Sequence, residues 1–538
     1  MLFPHEDKAV KKEAAMLGRS AVSAVLAAVK DGVRVRELER LIWESVLELG
    51  RMLMGAGLGR LCGNATEQDI EVRGLTKEEV SLRLDRDYWG TLNTTLGEVR
   101  FPWFAYRDRS PLGATVTRTP AKSAVMPLYK HCRSSELLVE WESRLGSDHP
   151  FRYAQDALTF FTHGATRLED TTIARHMVAV GSLVDHEWTY RTAEEMGGLL
   201  LTRATRDPNT DRPLLYASTD AHALRTYVDE TWDAKWKMAN GVRLWCIDRH
   251  NGATIHLGGE YTWGDCERVQ GIFEWLRDTG RMPPRGCYKS GLNVQFVFVT
   301  DGAVWIKERL VPLFPTAVVI LDAYHLMEAL AKYAAARYGQ GSKAAKEFYQ
   351  RALDAMYGKS RGKKPQSPKK RGGHTKRRPK LCINPPSMPA MDTHHARRRK
   401  RAPAADRLLS LLGEGEISYG FEEEHKIFVK SIERNADRID YERWRLRSYQ
   451  IGSGAMESLH RTASQTRLKV AGIRCLPETS QAVFNLRMLR LCGRWDEFWA
   501  QPTLTSHLVD GFIVRKAVIE QAKNPASTNA KHADPVAA

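Results

Sequence analysis

Hydrophobic positions recur at helical spacing from the start of the chain. Residues 6–54 read as two helices, and Leu38, Leu41, Ile42, Val46 and Leu47 fall on one stripe of the second, so a helical hairpin is expected. Residues 90–109, GTLNTTLGEVRFPWFAYRDR, switch to Thr, Val, Phe and Tyr with turn residues between them, which predicts a short β-hairpin. Helical spacing returns over 150–200. There RYAQDALTFFTHGATRLEDTTIARHMVAVGSLV reads as a helix, a break near Gly164, and a second helix opening at Asp170 or Thr171. This is the outline of a helix-turn-helix, shared by any helical hairpin. In the DNA-reading version Thr172, Arg175 and His176 face outward toward a groove.

From residue 213 the texture changes to strands. PLLYAST (213–219), GVRLWCI (241–247) and ATIHLGG (253–259) follow in quick succession, with the turn DRHNG between the second and third, which predicts three antiparallel strands. A helix follows from Asp265 to about Thr279, with Val269, Ile272, Phe273 and Leu276 on one face. VQFVFVT (294–300) and TAVVIL (316–321) are nearly continuous apolar runs, as buried parallel strands are. A helix over about 304–310 separates them, and a long one starts near Tyr324. The order β-β-β-α-β-α-β-α, with short right-handed connections, predicts an α/β, ribonuclease H-like mixed five-stranded sheet whose first and fourth strands are neighbours.

Composition changes the picture in one place. Nearly all of the chain's net charge of +17 sits in residues 359–401, where sixteen Lys and Arg meet one acid, Asp392. Lys369, Lys370, Arg371, Arg377, Arg378, Arg398 and Arg399 belong to this arm. So charged a segment, with few apolar residues, builds no core of its own. Its expected partner is a polyanion, because each cation that meets a phosphate releases a condensed counterion; the alternative is a solvated linker. The eight cysteines include no CxxC pair, which fits a reducing compartment. His374, Cys382, His394 and His395 are irregularly spaced, and no zinc is expected. A charged N-terminus and the lack of a long apolar run lead to the expectation of a cytoplasmic protein.

The acids carry the candidate chemistry. Asp220 follows the first strand directly and Asp301 the fourth, so the predicted sheet sets the two carboxylates side by side at one edge. Paired acids call for a cation, and hard oxygen ligands suit Mg²⁺. Two such ions clamp the attacking and leaving oxygens of a phosphoryl transfer. For a third acid the sequence offers two candidates. Asp322, in VVILDAYHLMEAL, has His325 three positions on along a helix face and reads as a brace beside the site, or simply as a helix N-cap. Glu457, in YQIGSGAMESLHRTASQTRLK, opens a helix capped by Ser453 that then carries His460, Arg461, Arg467 and Lys469. One acid followed by several bases suits metal at one end and phosphate along the rest; the plainer account is an acid favoured by the helix dipole.

On VTDGAVWIKERLVPLFPTAVVILDAYHLMEAL, DRIDYERWRLRSYQIGSGAMESLHRTASQTRLK and FNLRMLRLCGRWDEFWAQ, the chain resembles the bacterial insertion-sequence DDE transposases of the ISKra-like and ISLre-like group, over roughly residues 200–500. The resemblance implies that Asp220, Asp301 and Glu457 form the metal-binding catalytic triad and that Asp322 and His325 form an accessory D-x-x-H motif. It further implies two Mg²⁺ or Mn²⁺ ions. Double-stranded transposon ends and target DNA are the expected partners, held by a homodimer or larger assembly in the bacterial nucleoid. Phosphate contacts are expected from Arg461, Arg467 and Lys469, besides Arg175 and the basic arm.

The chain then divides into an N-terminal helical region (1–88), a β-hairpin or linker (89–132), a helix-turn-helix-like part (133–205), a first core part (206–331), a helical insertion (332–448), a last core part (449–500) and a tail (501–538). Trp444 would stack on a base or serve as an apolar anchor. Two features depart from the family: no cysteine pairs flank the 90–109 hairpin, and Ala221 stands where Gly is usual. The rival readings are a non-catalytic, domesticated DNA-binding regulator and another ribonuclease H-like DNA nuclease.

Overall fold

The computed structural model describes residues 7–63, 70–73, 79–108, 117–118, 132–227, 234–358, 402–470, 473, 475–500, 506–509 and 512–515; the basic arm and its seven named cations lie outside these. The chain forms two compact units. One comprises Met1–Tyr190, Ala223–Lys237 and Arg461–Ala538, the other Arg191–His222 and Met238–His460.

The first unit opens with the expected helical hairpin, Asp7–Lys30 and Val35–Gly63. Of the predicted stripe only Leu47 is buried, while Ile42 and Val46 stay exposed, as do Val22, Leu26 and Val29 on the first helix. The region 1–88 is not wholly helical. It contains β1 (Ile70–Arg73) and most of β2 (Glu79–Thr94), which pairs antiparallel with β3 (Gly97–Asp108), and Thr94 faces Gly97 across the turn. The predicted hairpin is therefore longer than expected, because Val80, Leu82 and Leu84 continue the period of two through a charged stretch. Leu92, Val99 and Phe101 of this hairpin pack with Leu58 and Met54 of the second helix. A short β4 (Thr117–Arg118) pairs with β3.

Helices Glu136–Asp148, Phe151–Phe161 and Asp170–Gly181 bury Leu138, Ala154, Leu158, Leu168 and Ile173 together, and Pro477–Leu491 packs against the first and third of them. The break at Gly164 and the start at Asp170 are as the sequence predicts.

The second unit is mixed α/β. A five-stranded sheet, most of whose residues belong to this unit, has the order β7-β6-β5-β8-β9, built from β5 (Leu214–Tyr227), β6 (Ala234–Ile247), β7 (Thr254–Trp263), β8 (Gln295–Thr300) and β9 (Val318–Leu321). β6 and β7 are antiparallel, whereas β5, β8 and β9 run parallel, so the first and fourth strands of the sheet are neighbours as expected. Asp265 caps the helix Cys266–Asp278 by accepting from the Glu267 amide, and Val269, Ile272, Phe273 and Leu276 are the buried face.

Between β8 and β9 the expected helix is instead a π-turn, Ile306–Leu310, followed by a 3₁₀ turn at Val311–Leu313. Helix Ala323–Tyr338 follows β9. The insertion contributes helices Lys343–Tyr357, Pro403–Leu412, Glu422–Arg434 and Tyr441–Leu446. These helices do not build a core of their own: Phe348, Met356, Leu408, Ile432 and Trp444 belong to the same buried cluster as Tyr216, Trp245, Val297 and Ile320 of the sheet.

Candidate active site

The sheet brings the two aspartates to one edge through register. β5 and β8 are paired from Leu214 opposite Gln295 to Ala217 opposite Phe298, and Asp220 and Asp301 each lie three residues beyond that last pair. Asp220 does not end its strand, as the sequence suggested. β5 continues to Tyr227 because His222, Leu224 and Thr226 keep alternating inward. Asp301 follows β8 directly and is exposed. Its carboxylate accepts from the Ala303 amide at 3.0 Å, closing a turn that Gly302 makes possible with a φ of +88°. A Cβ at position 302 would sit 2.6 Å from Leu321 Cδ1.

Asp322 is fully buried and does two jobs. One oxygen caps its helix by accepting from the Tyr324 amide at 2.7 Å; the other accepts from the Ser453 amide at 3.1 Å, takes the Ser453 hydroxyl, and lies 3.0 Å from His325 Nδ1. Burial alone would raise the Asp322 pKa, but these donors outweigh it and hold the carboxyl below its usual range. His325 is held at about 9, chiefly by its bond to Asp322, against burial and with the charges of Asp220 and Asp301 assisting. That both charges reach His325 agrees with the common edge given by the strand register. The expected brace of Asp322 and His325 is present. Ser453 does not cap the Glu457 helix as expected, because its hydroxyl is spent on Asp322.

Glu457 lies exposed in the helix Gly454–Leu459. One turn on, His460 is buried, with Nε2 at 3.2 Å from Asp220 Oδ2 and Nδ1 at 2.9 Å from the Tyr261 hydroxyl. Burial works to raise the Asp220 pKa, yet His460 and the Ala221 amide bring it below the usual carboxylate value. Gly241 of β6 permits this seating: a Cβ there would lie 2.4 Å from Met456 Cε and 2.9 Å from the Tyr261 ring. The residues after Glu457 were expected to continue as an α-helix, but His460–Gln465 is a π-helix.

A wider turn changes the phase of everything after it, by roughly one residue, or about 100°. Arg467 accordingly turns inward instead of toward phosphate: it is 2% exposed, donates from Nε to the Gly146 carbonyl at 3.0 Å and lies 5.0 Å from the Phe151 ring. Arg461 and Lys469 stay exposed.

His176 also needs correction. It is buried against Glu142, with Cys132 Sγ 3.8 Å from Nε2, and so faces no groove. Arg175 is exposed but folds back on its own helix, onto Thr171 and Thr172. Trp444 is the apolar anchor, 7% exposed and stacked on Tyr449 at 5.6 Å.

Among the described residues, no three His, Cys, Asp or Glu side chains converge closely enough to enclose a metal ion. The donor set nevertheless fits a divalent cation of the Mg²⁺ kind. Asp220, partly buried within β5, and Asp301, exposed just past β8, offer hard oxygens at equal register, and such an ion keeps much of its water and completes its shell with substrate phosphates rather than a protein cage. Glu457 is exposed on the helix Gly454–Leu459, three positions before the imidazole that touches Asp220.

Sequence reasoning missed the His460–Asp220 and Ser453–Asp322 contacts, and it missed His222, whose ring lies 4.4 Å from that of His460. The only local signal was the i, i+3 spacing of Glu457 and His460. Comparison with family models finds no match, and comparison with curated proteins finds no significant one.

Proposed function

We propose that the chain is a DDE transposase, a metal-dependent DNA phosphoryl-transferase that cleaves transposon ends and joins the freed 3′-hydroxyl to target DNA. The observation that carries this reading is the equal register of Asp220 and Asp301 beyond the parallel pair β5–β8, in a sheet with the strand order expected of a ribonuclease H-like domain. Asp220, Asp301 and Glu457 would hold Mg²⁺ or Mn²⁺, which supplies charge neutralisation and an activated oxygen nucleophile when bound.

The chain's own residues do the positioning. Asp322 fixes the Ser453 turn from which the Glu457 helix starts, and His460 orients the Asp220 carboxylate. His325, held at about 9, is a cation at neutral pH and offers a positive charge to phosphate beside the two aspartates. Arg461, Lys469 and the arm 359–401 supply contacts to double-stranded DNA. The exposed apolar positions Val22, Leu26, Ile42 and Val46 support a homodimer or larger assembly that holds two ends together.

Glu457→Gln is expected to lower Mg²⁺-dependent cleavage of DNA flanking the gene by about a thousandfold or more, while binding persists. Equal cleavage by that variant sinks the assignment. That His460, and not Glu457, is the side chain of this segment seen in contact with Asp220 favours one second reading, a non-catalytic DNA-binding regulator. In that case the wild-type chain binds the same DNA, cuts nothing, and is indifferent to Asp301→Asn.

A further inference from the structure

Beside the Ser453 turn the second unit holds a cleft of about 500 Å³. Its walls include Arg243, Tyr324, Arg445, Tyr449, Gly452 and Ser458. Arg243 is only 8% exposed. It donates from Nη1 to the Ala455 carbonyl, while its buried Nε has no hydrogen-bond partner. Among the described residues no carboxylate pairs with it; burial depresses its pKa to about 10, and only the Tyr261 hydroxyl acts against that. The group therefore remains a cation at neutral pH. A buried guanidinium without an anion has given up its hydration and regained little, a deficit that an anion entering the cleft would offset. Arg445 is exposed at the same cleft, its guanidinium 5.7 Å from the Tyr357 ring.

The third wall adds an aromatic face. Tyr324 is 59% exposed, and its ring lies against Gly452, where a Cβ would come within 2.5 Å of it. An open aromatic ring at a cleft lined by two arginines suits a nucleotide, with phosphate on the guanidinium groups and a base on the ring. We propose that this cleft binds a phosphodiester of a nucleic-acid strand, on Arg243 and Arg445, with a neighbouring base against Tyr324. The identity of the ligand rests on the nucleic-acid reading above; the anion site rests on Arg243.

The test is photocrosslinking of the full-length protein, in EDTA, to a thymidine pentanucleotide carrying 5-iododeoxyuridine, with adducts mapped by mass spectrometry. A Tyr324 adduct is expected, reduced about tenfold or more in Arg243→Met and severalfold in Arg445→Met. Methionine replaces the buried ion with an unbranched apolar side chain, and the exposed Arg445 variant keeps the test valid should Arg243→Met fold poorly. Adducts confined to residues 359–401, or a Tyr324 adduct equal in both variants, would overturn the proposal. So would thermal stabilisation by inorganic phosphate, at matched ionic strength, without any Tyr324 adduct, since the site would then take free phosphate. Glu457→Gln should crosslink like the wild type. A Tyr324 adduct in a protein that cleaves no DNA removes the catalytic reading and leaves the cleft standing.

Discussion

Each unit contains a histidine held at about 9 beside a carboxylate, yet the two pairs are built for different ends. In the first unit, Glu142 and His176 are both buried between helices. Burial alone would lower the His176 pKa, and the Cys132 thiol and the Glu142 carboxylate outweigh it; burial raises Glu142 itself. In the second unit, Asp322 is buried but rich in donors and sits below its usual range, while His325 remains partly open to solvent within reach of Asp220 and Asp301. The same pairing of side chains thus serves as a core fastening in one place and as a charged group near Asp220 and Asp301 in the other. Surroundings decide this: further donors, further acids and access to water.

The comparison breaks most visibly through stability. Glu142→Ala strands an imidazole in the core and is expected to cost about 3–5 kcal/mol in urea unfolding, as when one member of a buried pair is removed. A loss under about 1 kcal/mol would mean the pair is not a fastening. His325→Gln should show the reverse profile, with DNA cleavage falling about 10- to 100-fold, as for groups that orient a metal site, and stability changing by less than about 1 kcal/mol.

The smallest effect is in the pH dependence, where the signs differ. Glu142 and His176 both bind protons more tightly in the folded state, so their contribution is present at low pH and declines upward, for His176 between about 6.5 and 9. His325 behaves like His176, but the depressed Asp322 contributes above its ordinary value of 3.8 and loses that contribution as pH falls through its folded pKa. Asp322→Asn should therefore flatten the acid limb of the stability curve, and Glu142→Gln should leave that limb in place. The opposite result would exchange the roles given to the two pairs.

The order of strands was legible because the runs VQFVFVT and TAVVIL are short, rich in β-branched or aromatic residues and bounded by turn residues, and Asp301 is readable as the first acid after one of them. The strand character of 79–94 was obscured by charges that occupy its alternate positions. Asp322 and His325 were legible as a pair because His325 lies three positions after Asp322, in the first turn of the helix that Asp322 caps. Ser453, which completes that group, lies 131 positions from Asp322, and nothing local marks it.

The sequence by itself determined the period and order of the strands in the second unit, and hence the sheet, with Asp220 and Asp301 assigned to its neighbouring first and fourth strands. Only the tertiary structure decided where the polar side chains point. Arg467 is spent on Gly146 because a π-turn rotates the helix beneath it, His176 is spent on Glu142, and Arg243 is left without an anion. The physical reason is that hydrophobic periodicity is a local property of neighbouring residues, whereas a charge finds its partner through contacts between segments far apart in the chain.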